Sequence, residues 1–173
     1  MPDGGAYPNM TSFTPGPETS RAFRDALGRF ATGVTIVTTD TPDGPLGITA
    51  NSFASVSLDP PLVLWSPAKA SRRFPAFERA TRYAIHILAE DQTNVCGRFS
   101  KDGYDFDGLA WHRGQDNVPL IDGCLARFDC ERVAAHDGGD HLIIVGRVLA
   151  AEMREGAPLL FASGRYGRFT DAP

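Results

Sequence analysis

The run Gly47-Ile48-Thr49-Ala50-Asn51-Ser52-Phe53-Ala54-Ser55-Val56-Ser57 has the residue types most suited to holding a ligand. From Thr49 it sets the hydroxyls of Thr49, Ser52, Ser55 and Ser57 and the amide of Asn51 into nine residues. Large apolar side chains are few, so the run makes a poor core strand. It would suit a flat heteroaromatic ring such as that of a flavin. Small residues let backbone approach the ring face, and backbone and side-chain groups can match the donors and acceptors along its edge. N–H groups set at the end where negative charge develops on reduction would stabilise it. The competing reading is a polar strand facing water.

Three other places carry polar chemistry. Lys69-Ala70-Ser71-Arg72-Arg73 stands before a short predicted helix, where free N–H groups, a hydroxyl and a guanidinium suit a phosphate. A solvated basic turn is the alternative. Gly138-Gly139-Asp140-His141 is a turn that delivers His141 to the start of a strand, aimed at a pocket mouth or merely polar. In Gly164-Arg165-Tyr166, Tyr166 either stacks on a ring or closes the fold. His136 and His141 lack a third ligand at metal-binding spacing, so no metal is expected. The sequence has no GxSxG, CxxC, P-loop or HExxH pattern.

These residues need a frame. Arg21–Ala31 carries Phe23, Ala26, Leu27 and Phe30 at the spacing of one helical stripe. Strands are then expected over 34–39, 46–51, 55–58 and 62–65, with a turn at Asp40–Pro45. A short helix over 71–78 would hold Pro75 in its first turn. A strand over 83–88 follows. Asp91 would cap a helix running to Ser100, with Val95, Cys96 and Phe99 inward. Residues 101–119 read as a long loop bearing Tyr104, Phe106 and Trp111. Two long strands, 123–135 and 141–152, flank the Asp137–Asp140 turn, and a last pair covers 158–161 and 166–169. Seven or eight strands joined by turns, with few helices, indicate an antiparallel barrel.

With 173 residues and 42% hydrophobic content, the chain suits a single domain, taken as 19–173 behind a flexible Gly/Pro-rich tail, 1–18. A net charge of −4 weighs against nucleic acid as partner. No apolar run is long enough for a membrane span, and no basic-then-apolar leader is visible. Cys96, Cys124 and Cys130 form no disulfide framework, which points to a reducing cytoplasmic setting.

In order, several segments resemble the flavin reductase family with the FMN-binding split-barrel fold, which includes the reductase components of two-component flavin monooxygenases. They are Phe23–Thr39, Gly47–Leu64 with its TANSFxSVSLDPPL run, Gly139-Asp140-His141-x-Ile143-x-x-Gly146, and Pro158-Leu159-Leu160-Phe161-x-x-Gly164-x-Tyr166. The resemblance covers roughly residues 20–169. It implies a mainly β fold, a six-stranded Greek-key split barrel with an N-terminal helix and short inserted helices. It also implies a homodimer with flavin near the interface. Thr49, Ala50, Asn51, Ser52 and Ser55 would hold the ring and ribityl chain. Ser71 with Arg72 or Arg73 would hold the phosphate of FMN or FAD, and Phe106 would neighbour the ring. His141 and Tyr166 would lie near the nicotinamide of NADH or NADPH as the catalytic residues. Trp65 stands where many relatives carry a smaller residue, so it would alter the pocket. Hydride transfer needs stacking and exclusion of water rather than acid–base chemistry, which agrees with the residues. The partner would be a flavin-dependent monooxygenase. An enzyme with tightly held flavin and a flavin-binding module without turnover are the competing readings.

Overall fold

The computed structural model describes residues 10–170. The first half of the predicted tail, 1–9, lies outside them. After a single 3-10 turn at Pro17–Thr19 comes helix α1, Ser20–Leu27. The strands are β1 Thr32–Gly33, β2 Thr35–Thr41, β3 Gly44–Ala50, β4 Ala54–Leu58, β5 Pro61–Trp65, β6 Arg82–Ile87, β7 Trp111–Arg113, β8 Pro119–Ile121, β9 Ala126–Gly138, β10 His141–Met153, β11 Leu159–Ala162 and β12 Arg165–Arg168. Two short helices are inserted, α2 Phe74–Arg79 and α3 Thr93–Lys101. No helix among the described residues is long and apolar enough to cross a membrane.

The fold is mainly β, and the strands of each sheet pair antiparallel. The principal sheet has seven strands in the order β3-β2-β6-β9-β10-β5-β4, not the six that the resemblance implies. Its outermost strand, β4, pairs only with β5 and is largely exposed. The C-terminal hairpin, predicted as one more strand pair, sits apart in a three-stranded sheet, β1-β11-β12. The long loop carries β7, which pairs with β8 at and beyond the loop's end.

β2 shows why the β-branched run 34–39 forms a strand: successive side chains enter opposite faces, and both faces are covered. Val37 joins a core with Leu46, Ile48, Val63, Trp65, Phe77, Tyr83, Ile85, Cys130 and Ile144. Ile36 joins a second core beneath α3 with Val95, Cys96, Phe99, Phe106 and Leu159. Leu46 and Ile48 on edge strand β3 share the first core with Val63 and Trp65 from the far side of the sheet order. The sheet therefore curls around that core. Trp65 is fully buried there and fills the interior rather than shaping a cleft. Tyr83 Oη occupies the space a side chain at Gly146 would need, 2.0 Å from where a Cβ would stand.

β9 and β10, thirteen residues each, form a hairpin closed by Gly139 and Asp140, with Gly139 at φ +76°. Buried His86 links β6 to two neighbours. Its Nδ1 lies 3.0 Å from the Ile36 carbonyl, and its Nε2 accepts the Ile121 N–H at 3.0 Å. An Nε2 that accepts leaves the proton on Nδ1, so the ring is neutral. Burial drops its pKa to about 4.

Three expected details differ. α3 begins at Thr93 rather than next to Asp91, because Gln92 Oε1 accepts the Ala89 N–H and tightens the turn before it. α2 begins at Phe74, so Ser71 stands outside the helix and its Oγ instead accepts the Arg73 N–H at 3.2 Å. α1 stops before Gly28, whose carbonyl is taken by the Ser163 N–H at 2.7 Å. Phe30 is thus beyond the helix. The stripe also does not face the core: Phe23 is 43% and Leu27 60% exposed.

Candidate functional site

The Thr49–Ser55 run leaves β3, turns through Asn51–Phe53 and enters β4. Val34, Thr49, Ala50, Asn51, Phe161 and Tyr166 line a cleft of about 150 Å³ beside it. The C-terminal hairpin supplies one wall, where the Phe161 and Tyr166 rings lie 5.4 Å apart, centroid to centroid. A cavity of about 560 Å³ is larger, but it lies among Thr39, Asp40, Arg79, Arg82 and Asp116, and no predicted site residue lines it.

Most hydroxyls of the cradle are committed to the protein. Thr49 Oγ1 donates to the Cys96 carbonyl at 2.9 Å. Ser52 Oγ accepts the Ser66 N–H at 2.9 Å and donates to the Ser66 carbonyl at 3.2 Å. The Ala50 carbonyl accepts from Thr35 Oγ1 at 2.7 Å. What stays available is backbone: Asn51 and Ser52 lie outside both strands and donate no backbone hydrogen bond among the described residues. The exposed side chains of Asn51 and Ser55 stand beside them.

His141 belongs to an adjoining group. Ala68 bridges to it across the sheet edge, the Leu142 N–H donates to the Pro67 carbonyl, and Ser66 is tied to Ser52. The loop 66–69 therefore connects the cradle to the β9–β10 hairpin. His141 Nδ1 meets Asp140 Oδ1 at 2.8 Å, an interaction that holds the exposed Asp140 carboxyl below its usual range and leaves Nε2 free. The single chain does not bring His141 into the cleft that Tyr166 walls.

Of the predicted phosphate residues, Arg72 and Arg73 border another cavity, of about 420 Å³, with Leu46, Lys101, Asp102, Gly103 and Tyr104, and Ser71 does not. Arg72 is exposed. Arg73 Nη1 already donates to the Phe99 carbonyl at 2.8 Å, which ties α2 to the end of α3. Phe106 is not brought to the cleft. It is 5% exposed and packs edge-on between Phe99 and Trp111, with centroids at 4.8 and 5.1 Å.

The family described as the flavin reductase-like domain matches residues 27–170. The chain belongs to that family. The FMN reductase (NADH) SmoA of Agrobacterium fabrum is 60% identical over 163 residues, 94% of each chain. The monooxygenase reductase subunit HsaB of Rhodococcus jostii is 46% identical over 84% of this chain and 76% of its own. Among solved structures, a nitrilotriacetate monooxygenase component B homologue from Mycobacterium thermoresistibile superposes with a TM-score of 0.84. It is 42% identical and covers 90% of this chain and 91% of its own. The Streptomyces globisporus NADH:FAD oxidoreductase SgcE6 gives 0.85 at 34% identity, covering 95% and 96%.

Against this family background, two features of the chain stand out. The cleft sets N–H donors without a backbone partner beside small residues, faced by two aromatic rings. Sequence reasoning missed Cys96, whose Sγ lies 3.0 Å from Tyr166 Oη as a thiol–hydroxyl hydrogen bond. That bond, with partial burial, pushes the Tyr166 phenol up to about 12, so it stays protonated at neutral pH. No signal in the sequence separates Cys96 from an ordinary inward-facing helix residue.

Proposed function

We propose that the protein is an NAD(P)H-dependent flavin reductase that passes a hydride to FMN or FAD and hands the reduced flavin to a partner monooxygenase. The observation that carries this reading is the end-to-end likeness to the FMN reductase (NADH). The aromatic-walled cleft beside the free Asn51 and Ser52 amides supports it.

Bound flavin supplies the hydride acceptor, and the redox chemistry is its own. The chain's residues bind, orient and exclude water. The Asn51 and Ser52 N–H groups, with the Asn51 side chain, hold the ring edge where negative charge gathers. Ser55 reaches the ribityl chain, and Ser71, Arg72 and Arg73 the phosphate. Tyr166 and Phe161 close one face against water. His141, held by Asp140, presents Nε2 to the nicotinamide carboxamide. The curl of the principal sheet is the split barrel of this reading.

The protein acts as a homodimer. An eight-residue helix is marginal even in helix-favouring sequences, and α1 buries none of its residues in the single chain. A second copy over Phe23 and Leu27 gives the helix a reason to persist. α1 is joined to the β11–β12 turn through Gly28 and Ser163, so that copy sits next to the Tyr166 wall. A cleft of about 150 Å³ is also below the roughly 300 Å³ at which ligand pockets begin, as expected if the site is completed by another surface.

The deciding experiment titrates purified protein with FMN, FAD and riboflavin, then adds NADH or NADPH without oxygen. Loss of the oxidised flavin's visible absorbance, with flavin that passes freely through gel filtration, is expected. Binding without bleaching by either nicotinamide overturns the reductase reading in favour of a binding module. Flavin retained through turnover and filtration overturns the delivery role.

A further inference from the structure

Cys96 touches both walls of the cleft. Its carbonyl accepts Thr49 Oγ1, on the cradle side, at 2.9 Å and Ser100 Oγ at 2.8 Å. Its thiol meets Tyr166 Oη, on the opposite wall, at 3.0 Å. The residue is completely buried in α3. β12, which carries Tyr166, is exposed along all four residues and pairs on one side only, with β11. Apart from that pairing, the ties seen for β12 are the Cys96–Tyr166 bond, the Phe161–Tyr166 ring contact and an exposed Arg168–Glu90 ion pair at 3.2 Å. An exposed pair of that kind contributes little. Without a partner for its hydroxyl, the Tyr166 ring would be free to leave the wall.

We propose that Cys96 is a positioning residue for the nicotinamide step: through one hydrogen bond it holds Tyr166 and the outer strand of the C-terminal hairpin against α3, at a fixed distance from the Thr49–Asn51 cradle. This rests on the reductase reading, since it assigns Tyr166 to the nicotinamide side of the cleft. A thiol forms a soft, adjustable bond, and a hydroxyl at the same position would keep it. Loss of one such bond is worth about a three- to tenfold change in an equilibrium or rate.

The test compares wild type with Cys96→Ala, Cys96→Ser, Tyr166→Phe and the Cys96→Ala/Tyr166→Phe double variant. In the free protein, amide hydrogen exchange over residues 165–168 is expected to quicken about three- to tenfold in Cys96→Ala and Tyr166→Phe and to stay near wild type in Cys96→Ser. In turnover, Cys96→Ala and Tyr166→Phe should each raise KM for NADH by a similar factor. kcat of Cys96→Ala should stay within about twofold, and the double variant should have a KM no worse than either single one. Additive effects, unchanged exchange in Cys96→Ala, or a Cys96→Ser variant as impaired as Cys96→Ala overturn the positioning role. If wild type reduces no flavin while the exchange pattern holds, the reductase reading fails and the tether stands.

Discussion

The Ser52 hydroxyl accepts the Ser66 N–H and donates to the Ser66 carbonyl, so one side chain staples the cradle to the loop that leads to His141. Removing it should cost local order before global stability, because the two loops stay attached to their own strands. Ser52→Ala is expected to weaken flavin binding about three- to tenfold with only a small fall in Tm, at roughly 0.5–1.5 kcal/mol per net hydrogen bond. Fluorescence titration beside a thermal melt measures both. A variant that melts earlier yet binds flavin as wild type does would show that the staple serves stability alone.

His141 is held on one nitrogen by Asp140, while Nε2 has no hydrogen-bond partner among the described residues. A ring fixed in this way can orient a partner through Nε2. His141→Ala should slow hydride transfer in stopped flow by about ten- to a hundredfold, in line with the penalty for misplacing a reactant, and change flavin affinity far less. Asp140→Asn should lie between the two. Unchanged reduction kinetics in His141→Ala would remove the residue from the mechanism.

The strands were legible because their signals are local. The β-branched run at 34–39 and the DGGD turn act within a few residues of themselves. The Thr49–Ser55 run was legible as a polar passage between two strands, but the use of its hydroxyls was not. Their partners come from 14 residues away for Ser52 and 47 for Thr49, and the Cys96–Tyr166 bond spans 70. Only the folded sheet creates those contacts. Phe106 misled because an aromatic in a Gly/Asp-rich loop resembles a ligand contact, whereas Phe99 and Trp111 had already enclosed it. The α1 stripe is shorter than its spacing suggested, ending at Leu27, and periodicity does not say whether an apolar face meets the chain's own core or another molecule.

That face gives the next prediction. Phe23→Ser/Leu27→Ser removes exposed apolar side chains that belong to neither core, so it should leave the monomer's own core intact. Analytical ultracentrifugation is expected to show wild type as a dimer and the double variant shifted towards monomer, with flavin reduction lowered in parallel. A wild type that sediments as a monomer at micromolar concentration would refute the dimer.

His86 makes stability depend on pH in a predictable direction. Its ring is neutral in the fold, with a pKa of about 4 against an ordinary 6.5. Between those values the unfolded chain takes up a proton that the native chain refuses, so stability falls as pH drops from about 6.5 towards 4 and this contribution is flat above and below. The full loss is on the order of 3 kcal/mol. His86→Gln keeps an amide N–H for the Ile36 carbonyl and an oxygen for the Ile121 N–H, but it cannot titrate. Urea melts from pH 7.5 to 4.5 should show a slope in wild type that is largely missing in His86→Gln. Carboxylates titrate mainly at the acidic end of that range, so the upper part, between about 6.5 and 5, belongs to the histidine. Equal slopes there in both proteins would mean that the folded chain takes up the His86 proton as readily as the unfolded one, which overturns the neutral-ring assignment.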